Sequence, residues 1–282
     1  MLRKLMKYDL RAIFKYWWIA AISSLGLSVV GGISLSYLST TLVPEAVNSE
    51  PALLPMILSI LGMIASILGI SGFLIATEVL IYIRFYQGFF SDEGYLTFTL
   101  PVKRRDLLNS RLYSALITGA STLAVILLDL LIFLGIGLNS ELFNQENWNA
   151  LCQALSLAAE QLGFYLVIYA IEAIAIILAL SVASTLMIFA CISFAAVVVK
   201  KHKIFAAIGI YYLITAVLSF ASQILMIVGT ISITGIIDAI PSSAVPGFFA
   251  LLLLSVALFC AAIAVVLYTV EHYLLDKKLN LS

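Results

Sequence analysis

The sequence predicts an all-α integral membrane protein with six transmembrane helices. Of its 282 residues, 63% are hydrophobic and only 11% are charged, and the mean hydropathy is +1.14. Soluble domains are roughly half apolar and about a quarter charged, so one globular core would not hide this much apolar surface. Three observations predict the class: this composition, six apolar runs of membrane-spanning length, and basic residues confined to alternate connections.

The six apolar runs each have the length of a membrane span, since a helix needs about 20 apolar residues to cross about 30 Å of hydrocarbon. They are Trp17–Leu38, Ala52–Ile83, Leu112–Leu138, Leu162–Val199, Ile204–Ile236 and Phe248–Val270. As one helix the second run would be about 48 Å long at 1.5 Å per residue, and the fourth is longer. Both are therefore expected to extend past the bilayer.

The basic residues predict the orientation. All 15 Lys and Arg fall before the first span, between the second and third, between the fourth and fifth, or after the sixth. The other three connections hold acidic residues instead. The positive-inside rule then places both termini in the cytoplasm, which agrees with an even number of spans. Residues 139–161 and 234–247 become outer loops, with a short helix expected over 149–160 and a partly re-entrant turn in the last loop.

Residues 1–16 predict an amphipathic helix at the cytoplasmic interface. Apolar residues lie along one face and cations along another; these are Leu2, Met6, Leu10 and Ile13 against Lys4, Lys7, Arg11 and Lys15. Trp17 and Trp18 are expected to anchor the turn into the bilayer. The whole chain, residues 1–282, is interpreted as a single six-span domain.

Three acidic residues fall inside apolar runs, where each would cost about 3 kcal/mol on a lipid-facing helix. Glu78, near the inner end of the second span, is interpreted as structural and within reach of Arg84 or the 91–111 segment. Asp129 and Glu172 have compatible depths, so they form a candidate substrate path or proton relay, with Gln223 as a weaker member. The alternative is that each is hydrogen-bonded inside the bundle.

Metal and redox chemistry are not expected on this chain. Its three cysteines form no Cys-x-x-Cys pair, and its two histidines lie far apart in sequence. An intramembrane enzyme is not expected, because no Ser/His, His-Glu-x-x-His or paired-Asp arrangement lies at a shared depth. Nucleic acid is not expected as a partner.

One long interior segment does not resemble membrane: "SDEGYLTFTLPVKRRDLLNSRL", residues 91–112. Pro101 favours the first turn of a new helix, which predicts a short helix over 102–111. Lys103, Arg104 and Arg105 would lie in its first turn, where the helix dipole disfavours cations. Two interpretations stay open on these residues: an anionic partner, or anionic lipid headgroups, which attract each cation by about 1 kcal/mol.

The run "FFSDEGYLTFTLPVKRRDLLNSRL", residues 89–112, resembles permease subunits of ABC-type exporters, the type-2 class of Gram-positive bacteria. The closing "YLLDKKLNL", residues 273–281, is similar to their tail. Lys103 stands where that family would have a small hydroxyl residue. The resemblance implies a cell-membrane protein whose cytoplasmic segment, residues 91–111, docks onto a separate ATPase.

The resemblance also implies the residues and partners of that docking. The ATPase-coupling residues would be Asp92, Glu93, Gly94, Tyr95, Pro101, Lys103, Arg104 and Arg105. A second permease copy, identical or related, would complete a dimer, with Gly26, Gly31 and Gly32 as one plausible contact. The chain has no Gly-x-x-x-x-Gly-Lys-Ser/Thr motif, so ATP and Mg²⁺ would bind to the partner ATPase. This chain would then be a transport subunit and not an enzyme, moving an amphipathic peptide, drug or lipid-like molecule outward.

Two other classes remain alternatives. A proton-coupled secondary transporter would use Asp129 and Glu172 as proton carriers, although no internal repeat supports it. A non-transporting membrane scaffold or immunity protein would need no polar path at all.

Overall fold

The computed structural model of the chain describes residues 2–42, 53–91, 94, 104–138, 145–199, 203–239, 241 and 244–275. In these ranges the regular elements are helical, and no strand occurs among them. The elements are α1 (Leu2–Leu42), α2 (Leu53–Phe90), α3 (Arg104–Gly137), α4 (Gln145–Leu162), α5 (Phe164–Val198), α6 (Lys203–Ala239) and α7 (Val245–Tyr273).

Six of these helices, all except α4, are long and apolar enough to cross a membrane. Large apolar side chains such as Leu58, Leu131 and Ile177 are exposed on them. A helix that is apolar on every side is typical of a membrane span. The prediction of a multi-pass membrane protein with six spans is therefore confirmed.

Several helices are longer than the apolar runs that predicted them. α1 is one continuous helix of 41 residues, whereas a separate interface helix followed by a turn at Trp17 was expected. α3 likewise joins the predicted short helix and the third span into 34 residues. The physical reason is that a helix ends at Pro, Gly or a capping residue, and Trp17 and Arg111 are none of these.

The two predicted outer loops contain more helix than expected. α4 occupies Gln145–Leu162, so it contains the short helix expected over 149–160 and begins earlier. α6 continues to Ala239 and α7 begins at Val245, which corrects the prediction of a loop over 234–247. Gly235 does not break α6 because neighbouring Ile236 and Ile237 continue the helix, and Pro246 lies in the first turn of α7, where proline is tolerated.

The chain forms two compact units. The first consists of Met1–Arg84 and Tyr113–Leu157, and the second of Phe85–Leu112 and Ala158–Ser282. The first unit therefore holds α1 and most of α2 and α3. The second unit holds the last turn of α2, the described part of the 91–111 segment, the start of α3, and helices α5 to α7.

The first unit is packed through small residues. A Cβ added at Gly31 would collide with the Ser66 side chain and the Phe133 ring, and one at Gly62 would collide with Ser34. Close approach of membrane helices commonly depends on such residues. Gly31 and Gly32, expected at a dimer contact, thus pack against α2 and α3 of the same chain, whereas Gly26 has open space around it.

One end of the first unit is held by Trp17 and Asp9. Trp17 is buried in a cluster with Ala21 and Phe73, whereas Trp18 is exposed. Of the two predicted interface anchors, only Trp18 therefore presents its ring at the surface of the unit. Asp9 is also buried, and its Oδ1 lies 3.4 Å from Nε of Arg84. Glu78, expected to reach Arg84 or the coupling segment, accepts a hydrogen bond from Tyr82 one turn away.

In the second unit, α5 packs against both α6 and α7. Two hydrogen bonds fix the register of α5 and α7. Tyr169 donates to the carbonyl oxygen of Pro246 at 2.7 Å, and Ser193 donates to Oε1 of Glu271 at 2.5 Å. Because both numbers rise together, α5 and α7 run parallel.

Candidate functional site

The predicted coupling segment begins where α2 ends. Of its eight predicted residues, the structure describes Gly94, Arg104 and Arg105. The others lie outside the described residues: Asp92, Glu93, Tyr95, Pro101 and Lys103. The three described residues all belong to the second compact unit.

Gly94 forms a tight turn after α2. Its backbone N–H donates to the carbonyl oxygen of Ser91 at 2.8 Å. A Cβ added here would lie 2.8 Å from the backbone carbon and oxygen of Phe89. Because these are backbone atoms and not the end of a flexible side chain, any other residue requires the turn to move. Glycine is therefore needed for the close approach of this segment to the end of α2.

Arg104 and Arg105 open α3 and reach the end of α7. Arg104 Nη1 donates to the carbonyl oxygen of Leu275 at 2.8 Å. Arg105 Nε donates to Nε2 of His272 at 2.7 Å, so this imidazole nitrogen is the acceptor. One turn further along α3, Asn109 Oδ1 accepts from the Tyr268 hydroxyl at 2.9 Å. Both arginines are exposed while they make these contacts.

A buried carboxyl lies beside these contacts. Glu271 has no solvent exposure, and the Ser193 hydroxyl donates to its Oε1. Its Oε2 is buried and has no hydrogen-bond partner among the described residues. The sequence analysis did not identify Glu271, because it ended the sixth span at Val270. An acidic residue directly after an apolar run was the feature that could have identified it.

Aromatic and aliphatic side chains fill the same region of the second unit. The Phe85 and Phe189 rings are stacked, with centroids 3.8 Å apart and planes at 6°. Phe89, Leu108 and Leu275 are each almost completely buried. Four parts of the second unit thus contribute completely or almost completely buried side chains here: the end of α2, the start of α3, the last third of α5 and the residues just after α7.

Asp129, the first member of the candidate substrate path, belongs to the first unit. It is fully buried, and its Oδ2 accepts a hydrogen bond from Ser24 at 3.0 Å. Its Oδ1 has no hydrogen-bond partner among the described residues. Asp129 therefore joins α3 to α1 through one carboxylate oxygen, and the other oxygen is available to a proton or donor.

Glu172 and Gln223, the other two members, belong to the second unit. Glu172 is buried on α5, and its Oε2 has no hydrogen-bond partner in the described part of the chain. Gln223 is exposed on α6. Because Asp129 and Glu172 lie in different units, the predicted path that joins them stays a prediction.

The described residues contain three cysteines and no cluster of metal-binding side chains. Cys152 is exposed, Cys191 is buried and Cys260 is partly buried, and all three are free thiols. Across the described ranges, no group of three or more His, Cys, Asp or Glu side chains is arranged to hold a metal ion.

Comparison with known proteins gives no further assignment. No protein-family model, no curated protein sequence and no solved structure matches the chain.

Proposed function

We propose that this protein is the membrane-spanning permease subunit of an ATP-driven ABC exporter in the cell membrane. The observation that carries the proposal is the 89–112 segment, whose sequence resembles the cytoplasmic coupling segment of that class. Two features of the fold support it. Six helices have the length of membrane spans, and the segment connects the second of these helices to the third.

The orientation follows from charge. The five cations before the first span are all exposed on α1, and they are Arg3, Lys4, Lys7, Arg11 and Lys15. Anionic lipid headgroups on the cytoplasmic face attract such residues. In the proposal the first turns of α1 therefore lie at this face, and the 91–111 segment and both termini lie on the same side, where ATP is available.

The transport mechanism divides the work between chains. ATP and Mg²⁺ bind to two ATPase subunits, and ATP binding closes these subunits against the 91–111 segment. The movement changes the exposure of a path between this permease and a second copy, identical or related. An amphipathic peptide, drug or lipid-like molecule then passes outward. Membrane lipid surrounds the six spans.

The membrane acids have a defined place in this proposal. Asp129 and Glu172 are buried carboxyls, each with one oxygen that has no described hydrogen-bond partner. A cationic group on the transported molecule would gain most from such an oxygen, because charges attract strongly where water is excluded. Gln223 is exposed and would contribute only hydrogen bonds.

The experiment is affinity purification from native membranes in mild detergent, with identification of the accompanying chains. We expect a stoichiometric ATPase with a P-loop motif. The double variant Arg104→Glu, Arg105→Glu should lose it, while the matched variant Arg11→Glu, which changes an exposed arginine of α1, should retain it.

Arg104 and Arg105 also contact α7, so their replacement could disturb folding. A second variant, Glu93→Arg, changes a predicted ATPase contact outside the described residues. Retention of the ATPase by both variants would contradict the coupling role. Absence of any ATPase from membranes that express one would contradict the proposed function itself.

The buried state of Asp129 and Glu172 favours one other candidate, a proton-coupled secondary transporter. Intramembrane carboxyls are typical of proton relays. Purified protein in vesicles without an ATPase would distinguish it. Solute movement that follows an imposed pH gradient, and that is lost in Asp129→Asn or Glu172→Gln, would support proton coupling.

A further inference from the structure

We propose that the end of α7 is the element that receives the movement of the coupling segment and passes it to α5. The contact involved is the α3–α7 junction, defined as Arg104, Arg105 and Asn109 of α3 with Tyr268, His272 and Leu275 at the end of α7. This inference rests on the proposed function, because it assumes that an ATPase displaces residues 91–111. It assigns Tyr268, His272 and Leu275 as positioning residues of the coupling machinery.

The junction is a regular antiparallel contact. Asn109, Arg105 and Arg104 pair with Tyr268, His272 and Leu275 in that order. Numbers fall along α3 as they rise along α7, with about one helical turn between the first two pairs. Three side-chain hydrogen bonds distributed over successive turns prevent one helix end from sliding or rotating against the other.

The junction also explains why Arg104 and Arg105 lie in the first turn of α3. Cations in the first turn of α3 oppose the dipole of that helix. The same cations lie at the end of α7, where the last carbonyl groups have no partner within the helix and attract positive charge. Arg104 donates to the carbonyl oxygen of Leu275, two residues beyond the last residue of α7. The arginines therefore stabilise α7 and present the rest of their exposed surface at the start of α3.

The other side of α7 is fixed to α5. Ser193 and Glu271, both without solvent exposure, are hydrogen-bonded at one end. Tyr169 holds the carbonyl oxygen of Pro246 near the other end. The two contacts are about 25 residues apart on each helix, or about 37 Å at 1.5 Å per residue. A pair of parallel helices fixed near both ends moves as one body, so displacement of the end of α7 also displaces α5.

The first experiment tests the junction without the ATPase. Hydrogen–deuterium exchange is measured on the protein in lipid nanodiscs, for the peptide that contains residues 268–275. Arg104→Ala and Asn109→Ala change only α3, so the α7 peptide keeps its sequence. We expect about tenfold faster exchange at the last amides of α7 in Arg104→Ala, since a lost hydrogen bond to a charged group corresponds to at least that factor. Asn109→Ala removes a neutral hydrogen bond, so its exchange should be faster by a smaller factor, about threefold.

The control is Arg11→Ala, which removes an exposed arginine of the first unit and should leave this peptide unchanged. Unchanged exchange in both α3 variants would overturn the junction. The exchange experiment needs no ATPase. It can therefore overturn the junction even if the proposed function is correct, and support the junction even if no ATPase is found.

The second experiment tests transmission. His272→Ala and Tyr268→Phe are purified with the ATPase, and ATP hydrolysis is compared with that of the ATPase alone. We expect both variants to retain the ATPase but to lose the change in hydrolysis rate that the unmodified permease causes. Loss of ATPase binding in Tyr268→Phe, with unchanged exchange in α7, would instead make the junction a docking surface and overturn transmission.

A cross-linking experiment distinguishes two reasons why a junction variant would lose its effect on ATP hydrolysis. Either movement no longer passes from α3 to α7, or the protein is less stable. Asn109→Cys with Tyr268→Cys, in a background with Cys152, Cys191 and Cys260 replaced by Ser, is joined by a short thiol-reactive cross-linker. We expect the double-cysteine variant, before cross-linking, to lose the change in the ATP hydrolysis rate that the unmodified permease causes. If the junction moves as one unit, cross-linking the two cysteines should restore this change. A joined junction that stays inactive would mean that the two helix ends must separate, which overturns the proposal.

Discussion

The indole N–H of Trp17 donates a hydrogen bond to Oγ1 of Thr122 at 2.9 Å, and this contact joins α1 to α3 across 105 positions of sequence. Trp17 is almost completely buried, and its ring lies 5.7 Å from that of Phe73 on α2. One tryptophan thus contacts both other long helices of the first unit. The indole nitrogen has to find an acceptor there because buried polar groups without a partner are costly.

Thr122→Val should destabilise the first unit by about 1 kcal/mol, the usual size of an interhelical hydrogen bond in a membrane. Valine keeps the shape of threonine but removes the acceptor of the Trp17 N–H. The measurement is unfolding in sodium dodecyl sulfate from a mild detergent, followed by tryptophan fluorescence. Thr122→Ser keeps the hydroxyl and should unfold close to the unmodified protein. Equal stability of Thr122→Val and Thr122→Ser would show that the hydrogen bond adds nothing.

Gly31→Ala should lower the free energy of unfolding by about 1–3 kcal/mol, the usual cost of an overpacked contact. Its added methyl group would overlap Ser66 and lie 2.9 Å from Cδ2 of Phe133, so α1, α2 and α3 must separate slightly. The same detergent unfolding gives the stability. Gly26→Ala is the matched control, because Gly26 lies on the same helix with no atom within 4 Å. Equal effects at the two positions would contradict this packing.

Hydropathy predicted the six spans because the thickness of a bilayer demands a minimum apolar length, and that demand is visible in each run. It did not predict where helices end. Nothing at Trp17 or Arg111 stops a helix, so α1 and α3 continue past the hydrocarbon length. The burial of Trp17 was not predicted either: two adjacent tryptophans read alike in sequence, but only Trp17 faces Thr122 and Phe73.

The candidate site was predictable in part. The composition of residues 91–111 marked this segment as unlike the rest of the chain, and its resemblance to permease subunits implied a coupling role for Gly94, Arg104 and Arg105. The partners of those arginines were not predictable, because His272 and Leu275 lie about 170 positions later. The cations lie in the first turn of α3, where the helix dipole disfavours positive charge, and this suggested that they bind an anionic partner or anionic lipid headgroups. The structure instead pairs Arg104 with the carbonyl oxygen at the end of α7, a contact between distant segments that no local pattern records.

Gly94→Ala should disturb the turn after α2 without unfolding the spans. The new Cβ would lie 2.8 Å from the backbone of Phe89, and backbone cannot move aside as a long side chain can. Limited proteolysis next to Gly94 should become several-fold faster, since the hydrogen bond from Gly94 to Ser91 has to open for cleavage. Gly72→Ala, on α2 itself and with no atom within 4 Å, should cleave like the unmodified protein. Slow cleavage in both would show that the turn tolerates a methyl group.

Ser193→Ala should destabilise the second unit by about 1–3 kcal/mol, because it leaves both oxygens of the buried Glu271 without the donor seen here. Glu271→Gln keeps an oxygen acceptor for the Ser193 hydroxyl and should cost less. Unfolding of each variant in mixed detergent micelles gives the comparison, and the double variant Ser193→Ala, Glu271→Gln completes the cycle that tests coupling. Additive effects in the double variant would mean that the two residues do not stabilise each other.

The native cysteines test the orientation on which the whole functional proposal depends. Cys152 is exposed on α4, and Cys191 is buried on α5. If the basic connections are cytoplasmic, α4 lies outside, so a charged maleimide that does not cross membranes should label Cys152 in intact cells. Replacement of Cys152 by Ser should abolish the labelling.

A cysteine on the opposite side completes this comparison. Lys7→Cys, at an exposed position of α1, in a Cys152→Ser background should be labelled only after the membrane is permeabilised. The reverse pattern, with Cys152 protected and position 7 labelled from outside, would place the 91–111 segment outside the cell. No ATP-driven partner operates there, so that single result would exclude an ATPase as the partner of Arg104 and Arg105. It would direct attention to the buried carboxyls Asp129 and Glu172 as proton carriers.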